Sequence, residues 1–94
     1  MAERSKTLTR RYSVYAIINS KTGKFVYGTD RRYHPWRQRT SKNCMLTYDS
    51  LYAVQTDFMS RKCGKDYKIA VLKSPEVKRL IEPPRSWDDI TYTE

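Results

Sequence analysis

The densest group of side chains able to bind a charged ligand lies in residues 30–42, "DRRYHPWRQRTSK". Five cations, the only histidine and two further aromatic rings fall within these thirteen residues. Arginine grips phosphate through paired N–H donors, and lysine binds it as a point charge. Rings between arginines can stack on unpaired bases or on a guanidinium group. The segment predicts a nucleic-acid-binding site made of Arg31, Arg32, Tyr33, His34, Trp36, Arg37, Arg39 and Lys42.

The aromatic residues of this segment have two possible roles. Tyr33 and Trp36 can face a bound base, or they can fold inward and anchor the loop while the arginines stay in water. Both roles are compatible if Trp36 points inward and the arginines point outward. The N-terminal residues 1–11 add further cations, and we include Arg10 and Arg11 as candidates for nucleic-acid contact. The alternative for these residues is a flexible basic arm that aids solubility.

The net charge of +9 is unevenly distributed along the 94 residues. Residues 1–43 hold eleven lysines and arginines against two acids, whereas residues 44–94 hold eight of each sign. A one-sided excess of positive charge is typical of a protein that binds a polyanion. The alternative is solvated charge without a partner.

The sequence gives little support for catalysis, for a phosphate-binding loop or for metal binding. No nucleophile and base occur in a known motif, and "KTGK" is explained by a hairpin turn rather than a phosphate loop. The acids Asp49, Asp57, Glu76 and Glu82 are expected to be helix caps and solvated helix residues. The only histidine and the two cysteines lack metal-ligand spacing. We therefore expect no metal site and no cofactor, and the residues favour a non-catalytic protein.

The cysteine content and the hydropathy of the chain indicate a cytoplasmic protein. Cys44 and Cys63 do not make a disulfide framework, and we expect both to be reduced. No run of about 18 apolar residues is present, which argues against a membrane partner. The N-terminus lacks the apolar region of a secretory signal.

Hydrophobic periodicity predicts a single small α+β domain in the order β-β-α-β-α. Residues 12–18 and 24–29 read as strands joined by a turn with Gly23. Residues 47–63 show a helical stripe of Leu51, Val54 and Phe58, with Thr47 or Asp49 as the cap and Gly64 as the terminator. Residues 66–72 read as a third strand. Residues 74–82, "SPEVKRLIE", read as a short helix.

These elements predict a three-stranded, mostly antiparallel sheet with a helix packed on one face. The first strand is expected to be central. Residues 30–46 are expected to form a loop, and loops of this length are usually functional or disordered. The domain is expected to span residues 12–82, followed by a tail over residues 83–94 that Trp87 pins to the body.

One segment resembles the GIY-YIG endonuclease family. "SVY" (Ser13, Val14, Tyr15) occupies the place of the family's Gly-Ile-Tyr, "NSKTGK" matches its turn, and "VYG" (residues 26–28) occupies the place of Tyr-Ile-Gly. "SLYAVQTDFMSRKCGKDYKIAVL" is similar to the family's helix, glycine-containing turn and third strand. The resemblance spans residues 12–73. Ser13 stands where the family has glycine, and Val26 stands where it has tyrosine.

The resemblance implies a DNA-facing fold and, in its fullest form, metal-dependent cleavage. Family members use motif tyrosines, an arginine and a metal-binding glutamate. Tyr15 is retained, Arg37 or Arg39 corresponds to the arginine, and Glu76 or Glu82 is available as the carboxylate.

Three functional hypotheses follow from these features. The first is a non-catalytic module that binds DNA or RNA through its basic, aromatic segment. The second is a small, phage-encoded regulator or inhibitor that docks on a nuclease or ribonucleoprotein, as an anti-CRISPR protein does. The third is a GIY-YIG-like endonuclease.

Overall fold

A computed structural model describes residues 14–73 and 76–92 of the chain. In chain order, the described elements are β1 (Val14–Asn19), β2 (Phe25–Asp30), β3 (Arg37–Ser41), α1 (Leu51–Ser60), β4 (Tyr67–Lys73), β5 (Glu76–Ile81) and a 3-10 turn (Trp87–Asp89). The predicted basic arm, including Arg10 and Arg11, lies outside the described residues.

The strands form one antiparallel sheet in the order β3-β2-β1-β4-β5. The fold is α+β, but the predicted three-stranded sheet and the β-β-α-β-α order are wrong. The central position of β1 is confirmed, since it pairs with β2 on one side and with β4 on the other. The sheet gains its two outer strands from segments that the sequence assigned to a loop and a helix.

The first of these outer strands, β3, lies inside the predicted loop of residues 30–46. Its sequence "RQRTS" carries no apolar residue, so hydrophobic alternation could not reveal it. Pairing with β2 includes a bulge between Val26 and Gly28. The side chain of Arg39 crosses Gly28, with its Cδ atom 3.8 Å from where a Cβ would stand. A charged edge strand of this kind resists pairing with other chains.

The second outer strand, β5, replaces the predicted helix of residues 74–82. Its residues pair with β4 from Ile69↔Ile81 to Lys73↔Glu76. The apolar side chains of Val77 and Leu80 on this strand are 40% and 46% exposed. A six-residue segment fits either period, and here pairing with the apolar β4 overrides helix propensity.

Helix α1 packs on one face of the sheet, as predicted, but its ends differ from the expected ones. Ser50 is the N-cap, and its hydroxyl accepts a hydrogen bond from the Ala53 amide at 3.1 Å. The helix ends at Ser60, and Lys62 rather than Gly64 takes the left-handed conformation after it, with φ of 54°.

The core has two layers because alternate residues of β1 point to opposite sides of the sheet. The side chains between sheet and helix are Tyr15, Ile17, Val26, Leu51, Val54, Phe58, Ile69 and Val71. On the other side of the sheet, which we call the face opposite α1, Ala16, Ile18, Ala70 and Leu72 form a second buried cluster. Both clusters centre on β1 and β4, so these interior strands contribute most of the sheet's core residues.

The C-terminal segment contacts the helix, but Trp87 does not anchor it. The Trp87 side chain is 57% exposed, which contradicts the predicted role. The buried Gln55 amide instead donates to the Thr91 carbonyl at 2.7 Å. The rings of Tyr52 and Tyr92 stack with centroids 4.9 Å apart. The tail is therefore fixed by residues of α1, and Trp87 remains on the surface.

Candidate nucleic-acid interface

The predicted binding segment is a hairpin rather than a loop. Residues 30–42, which we call the basic hairpin, comprise the end of β2, a connection over residues 31–36, and β3. The connection contains a cis peptide bond between His34 and Pro35. All eight hairpin residues predicted from sequence lie in this one structural unit. His34 and Lys42 are exposed at its two ends and form no hydrogen bond or ion pair with the described residues.

Two arginines share the ring of Tyr33. The guanidinium carbon of Arg37 lies 4.3 Å from the ring centroid, and that of Arg32 lies 5.8 Å from it. Both distances are within the range of cation–π attraction. Tyr33 therefore gathers two positive groups at the surface and is itself well exposed.

Trp36 gathers a second pair of cations. The guanidinium carbon of Arg31 lies 4.9 Å from the Trp36 ring centroid, and the Nζ atom of Lys62 lies 5.3 Å from it. The ring is half-buried, so it anchors the connection while still carrying two cations. Lys62 follows α1, and its contact joins the hairpin to the end of the helix. Sequence reasoning missed Lys62 because it lies 26 residues from Trp36.

Asp30 is the one acid of the basic hairpin, and it is shared by two arginines. Its carboxylate accepts from Arg32 at 2.9 and 3.0 Å and lies 3.5 Å from Arg39. The hydrogen bonds from the Arg32 side chain and backbone hold the pKa of Asp30 well below its ordinary value. The same pairing raises the pKa of Arg32. Among the described residues, no carboxylate forms an ion pair with Arg31 or Arg37, so no acidic partner competes with a ligand for these two.

The alternation of β3 separates its cations from its structural contacts. Gln38 points toward the helix, where its amide donates to the Arg61 carbonyl at 2.7 Å. Arg37 and Arg39 flank it in the strand and therefore point to the face opposite α1. The polar sequence of β3 thus has one side for attachment and one side for contact with a partner.

A network of side chains fixes the hairpin to the helix. Thr29 on β2 donates to the Gln38 amide oxygen at 2.7 Å and accepts from Arg61 at 2.8 Å. Arg61 also donates to Asp57 at 2.6 Å, and the Tyr48 hydroxyl donates to the same carboxylate oxygen. We call these five residues the anchoring network. Asp57 was expected to be a solvated helix residue, but it holds both of its partners in place.

The ionisation of the anchoring network is set by its burial and by Asp57. Burial raises the pKa of Tyr48, and its hydrogen bond to Asp57 raises it further. Burial lowers the pKa of Arg61, but the hydrogen bond and charge of Asp57 outweigh this, and the pKa lies above its ordinary value. Arg61 is therefore charged, and it donates to Asp57 and Thr29 beneath the hairpin.

The residues assigned by the nuclease resemblance lie on different elements, and only Arg37 and Arg39 belong to the basic hairpin. Tyr15 is buried between sheet and helix. Glu82 accepts two hydrogen bonds from Lys68 at 2.9 Å, and both Glu76 and Glu82 lie on or beside β5 rather than on a helix. Among the described residues, no group of three His, Cys, Asp or Glu side chains could hold a metal ion.

No family model, curated protein or solved structure matches this chain. The nuclease resemblance therefore stays a prediction. Within the described residues, no helix is long and apolar enough to cross a membrane.

Proposed function

We propose that the protein is a non-catalytic, cytoplasmic nucleic-acid-binding module whose contact surface is the basic hairpin. The observation that carries the proposal is the pairing of cations with rings, two on Tyr33 and two on Trp36. These contacts concentrate positive charge at one end of the sheet, where a polyanion would be attracted most strongly.

The cation–ring contacts suit recognition of phosphates. A guanidinium held over a ring face keeps its in-plane N–H donors available, because the ring attracts the charge rather than accepting those hydrogen bonds. Side-chain freedom is also reduced before binding, so less ordering is required when a phosphate arrives. Arg31 and Arg37 suit this role best, since neither is paired with a described carboxylate.

Both rings of the hairpin are already engaged by cations. A base that stacked on Tyr33 or Trp36 would have to displace an arginine or Lys62, and binding would lose those contacts. We therefore assign the hairpin to the phosphate backbone, which makes binding independent of sequence and strongly dependent on salt.

The test compares two double variants that each lower the net charge from +9 to +7. Arg31→Ala with Arg37→Ala removes the two hairpin arginines without acidic partners. Lys21→Ala with Lys24→Ala removes two exposed cations from the turn at the opposite end of β2. Binding to a fluorescent oligonucleotide should weaken at least about tenfold for the arginine pair and about twofold or less for the lysine pair.

Equal affinities for the two variants would show that overall charge, not the hairpin, drives binding. The regulator hypothesis gives a different result. A docking protein would capture a protein partner that survives nuclease treatment, whereas the proposed module would lose its partners on that treatment.

A further inference from the structure

A cleft of about 710 Å³ lies between the end of α1 and the segment that follows β5. Its base includes the apolar side chains of Phe58 and Cys63, and Tyr67 also lines it. The basic hairpin does not contribute to this cleft.

The cleft is positively charged. Lys62, Lys65, Lys68 and Arg85 line it, against a single lining acid, Glu82. Lys68 neutralises Glu82 through its two hydrogen bonds of 2.9 Å. Three cations therefore remain without an ion pair to any described residue, which favours an anionic ligand.

Trp87 gives the cleft an exposed aromatic wall. It lines the cleft and is 57% exposed, although a tryptophan is usually mostly buried. Unlike Trp36, it has no cation over its ring among the described residues. A large, uncovered ring beside lysines and an arginine is the arrangement on which unpaired bases stack in single-strand-binding proteins.

Lys62 connects this cleft to the basic hairpin. Its ammonium group contacts the Trp36 ring, and the same residue lines the cleft. Its left-handed backbone conformation would cost a glycine little but is unfavourable for a lysine. At the junction of the two basic surfaces the chain therefore has a lysine, although a glycine would fit this backbone conformation better.

We infer that the cleft binds single-stranded nucleic acid, whose backbone runs from the basic hairpin over Lys62 and whose next bases enter the cleft to stack on Trp87. This inference rests on the proposed function of the hairpin and adds the class of nucleic acid. The phosphates of a duplex can bind to the basic hairpin, but its bases are paired and cannot stack on Trp87. The cleft therefore selects single strands.

The test measures the affinity of Trp87→Ala for a single-stranded oligonucleotide and for its duplex at fixed salt. Loss of one stacked base should weaken single-strand binding by about fivefold to a hundredfold and leave duplex binding unchanged. Trp87→Phe should restore most of the single-strand affinity.

A second variant, Lys62→Gly, tests the junction. Glycine relieves the left-handed backbone but loses the cation–π contact, so the two effects on the free energy of unfolding should largely cancel. Single-strand affinity should nevertheless fall several-fold. Fluorescence in a Trp36→Phe background reports Trp87 alone, and a stacked base should quench its emission.

The outcomes separate the inference from the proposed function. If the Arg31/Arg37 variant loses affinity while Trp87→Ala binds single strands normally and shows no quenching, the inference is wrong and the hairpin proposal stands. If Trp87→Ala weakens duplex and single strand equally, selection of single strands is wrong. If the native protein binds neither nucleic acid, both the proposal and the inference fail.

Discussion

Arginines occupy two contrasting environments within one part of this molecule. Arg61, in the anchoring network, is 19% exposed and donates to Asp57 and Thr29. Arg32, in the basic hairpin, is 74% exposed and touches a ring and one carboxylate. Both arginines lie in the region where the end of β2 meets the end of α1. Burial and partners, not residue type, determine the role of each arginine.

The contrast separates the part that positions the surface from the part that makes contact. The anchoring network joins β2, β3 and α1 through charged and neutral hydrogen bonds, which fixes the base of the hairpin. Above this network, Arg31, Arg32 and Arg37 lie against rings, and Arg32 and Arg39 pair with Asp30 at the exposed surface. Changes to the network should therefore alter stability, and changes to the hairpin surface should alter binding.

The largest effect on stability is expected for Asp57→Ala. The substitution leaves Arg61 and Tyr48 without their shared acceptor in a mostly buried site, and the free energy of unfolding should fall by about 2 kcal/mol. Urea denaturation measures this change. Asp49→Ala, which removes an exposed carboxylate near the same helix, should stay within about 0.5 kcal/mol of the native protein. Equal effects for the two variants would contradict the anchoring role of the network.

A smaller effect, on binding, is expected for Asp30→Asn. Removing the carboxylate leaves Arg32 and Arg39 without an acidic competitor for phosphate, so affinity should rise about fivefold. Asp66→Asn is the control, because it removes one acid that pairs with Lys21 at the other end of the sheet. A loss of affinity for Asp30→Asn would show that Asp30 acts mainly by positioning the arginines.

The lowered pKa of Asp30 predicts how its contributions to stability and to binding depend on pH. Because its folded-state pKa lies below the unfolded value of about 4, its contribution to stability is complete at neutral pH. That contribution is lost only as the pH falls below 4 through the folded-state pKa. In the native protein, Asp30 should therefore cause no change in affinity between about pH 5 and pH 8.

The smallest expected effect is a difference in reactivity between two thiols, one at the surface and one beside the end of α1. Cys44, just beyond β3, is exposed, whereas burial raises the pKa of Cys63 to about 12. Only the thiolate reacts with iodoacetamide, so Cys63 should be protected in the native state. Mass spectrometry should find one modified cysteine in the folded protein and two in urea. Rapid native labelling of Cys63 would indicate that the helix end opens readily.

The sequence predicted the inner elements of the fold and missed the outer ones for a physical reason. β1, β2, α1 and β4 are covered by core residues such as Ile17 and Val54, whose spacing shows the period. β3 carries no apolar side chain, and the exposed Val77 and Leu80 of β5 fit a helix as well as a strand. Edge strands are held by backbone pairing to a neighbour, and hydrophobic spacing does not record that pairing.

The candidate site was predictable to the extent that it is local. Charge and aromatic content identified the hairpin from Arg31 to Arg39, because all of its cations are close in sequence. Lys62 and Trp87 lie far from the hairpin in sequence. Their place beside it could be recognised only from the fold, which brings the helix end against Trp36 and the tail against the cleft. The role of Trp36, left open by the sequence, is both anchor and cation platform.

The most direct test of the hairpin as a phosphate-binding surface is the salt dependence of single-strand affinity. Each lost phosphate contact lowers the slope of log K against log salt concentration by about 0.7 for a single strand. The Arg31/Arg37 variant should therefore show a slope about 1.4 smaller in magnitude than the native protein, while the Lys21/Lys24 variant keeps the native slope. Identical slopes for the native protein and the arginine variant would contradict the account.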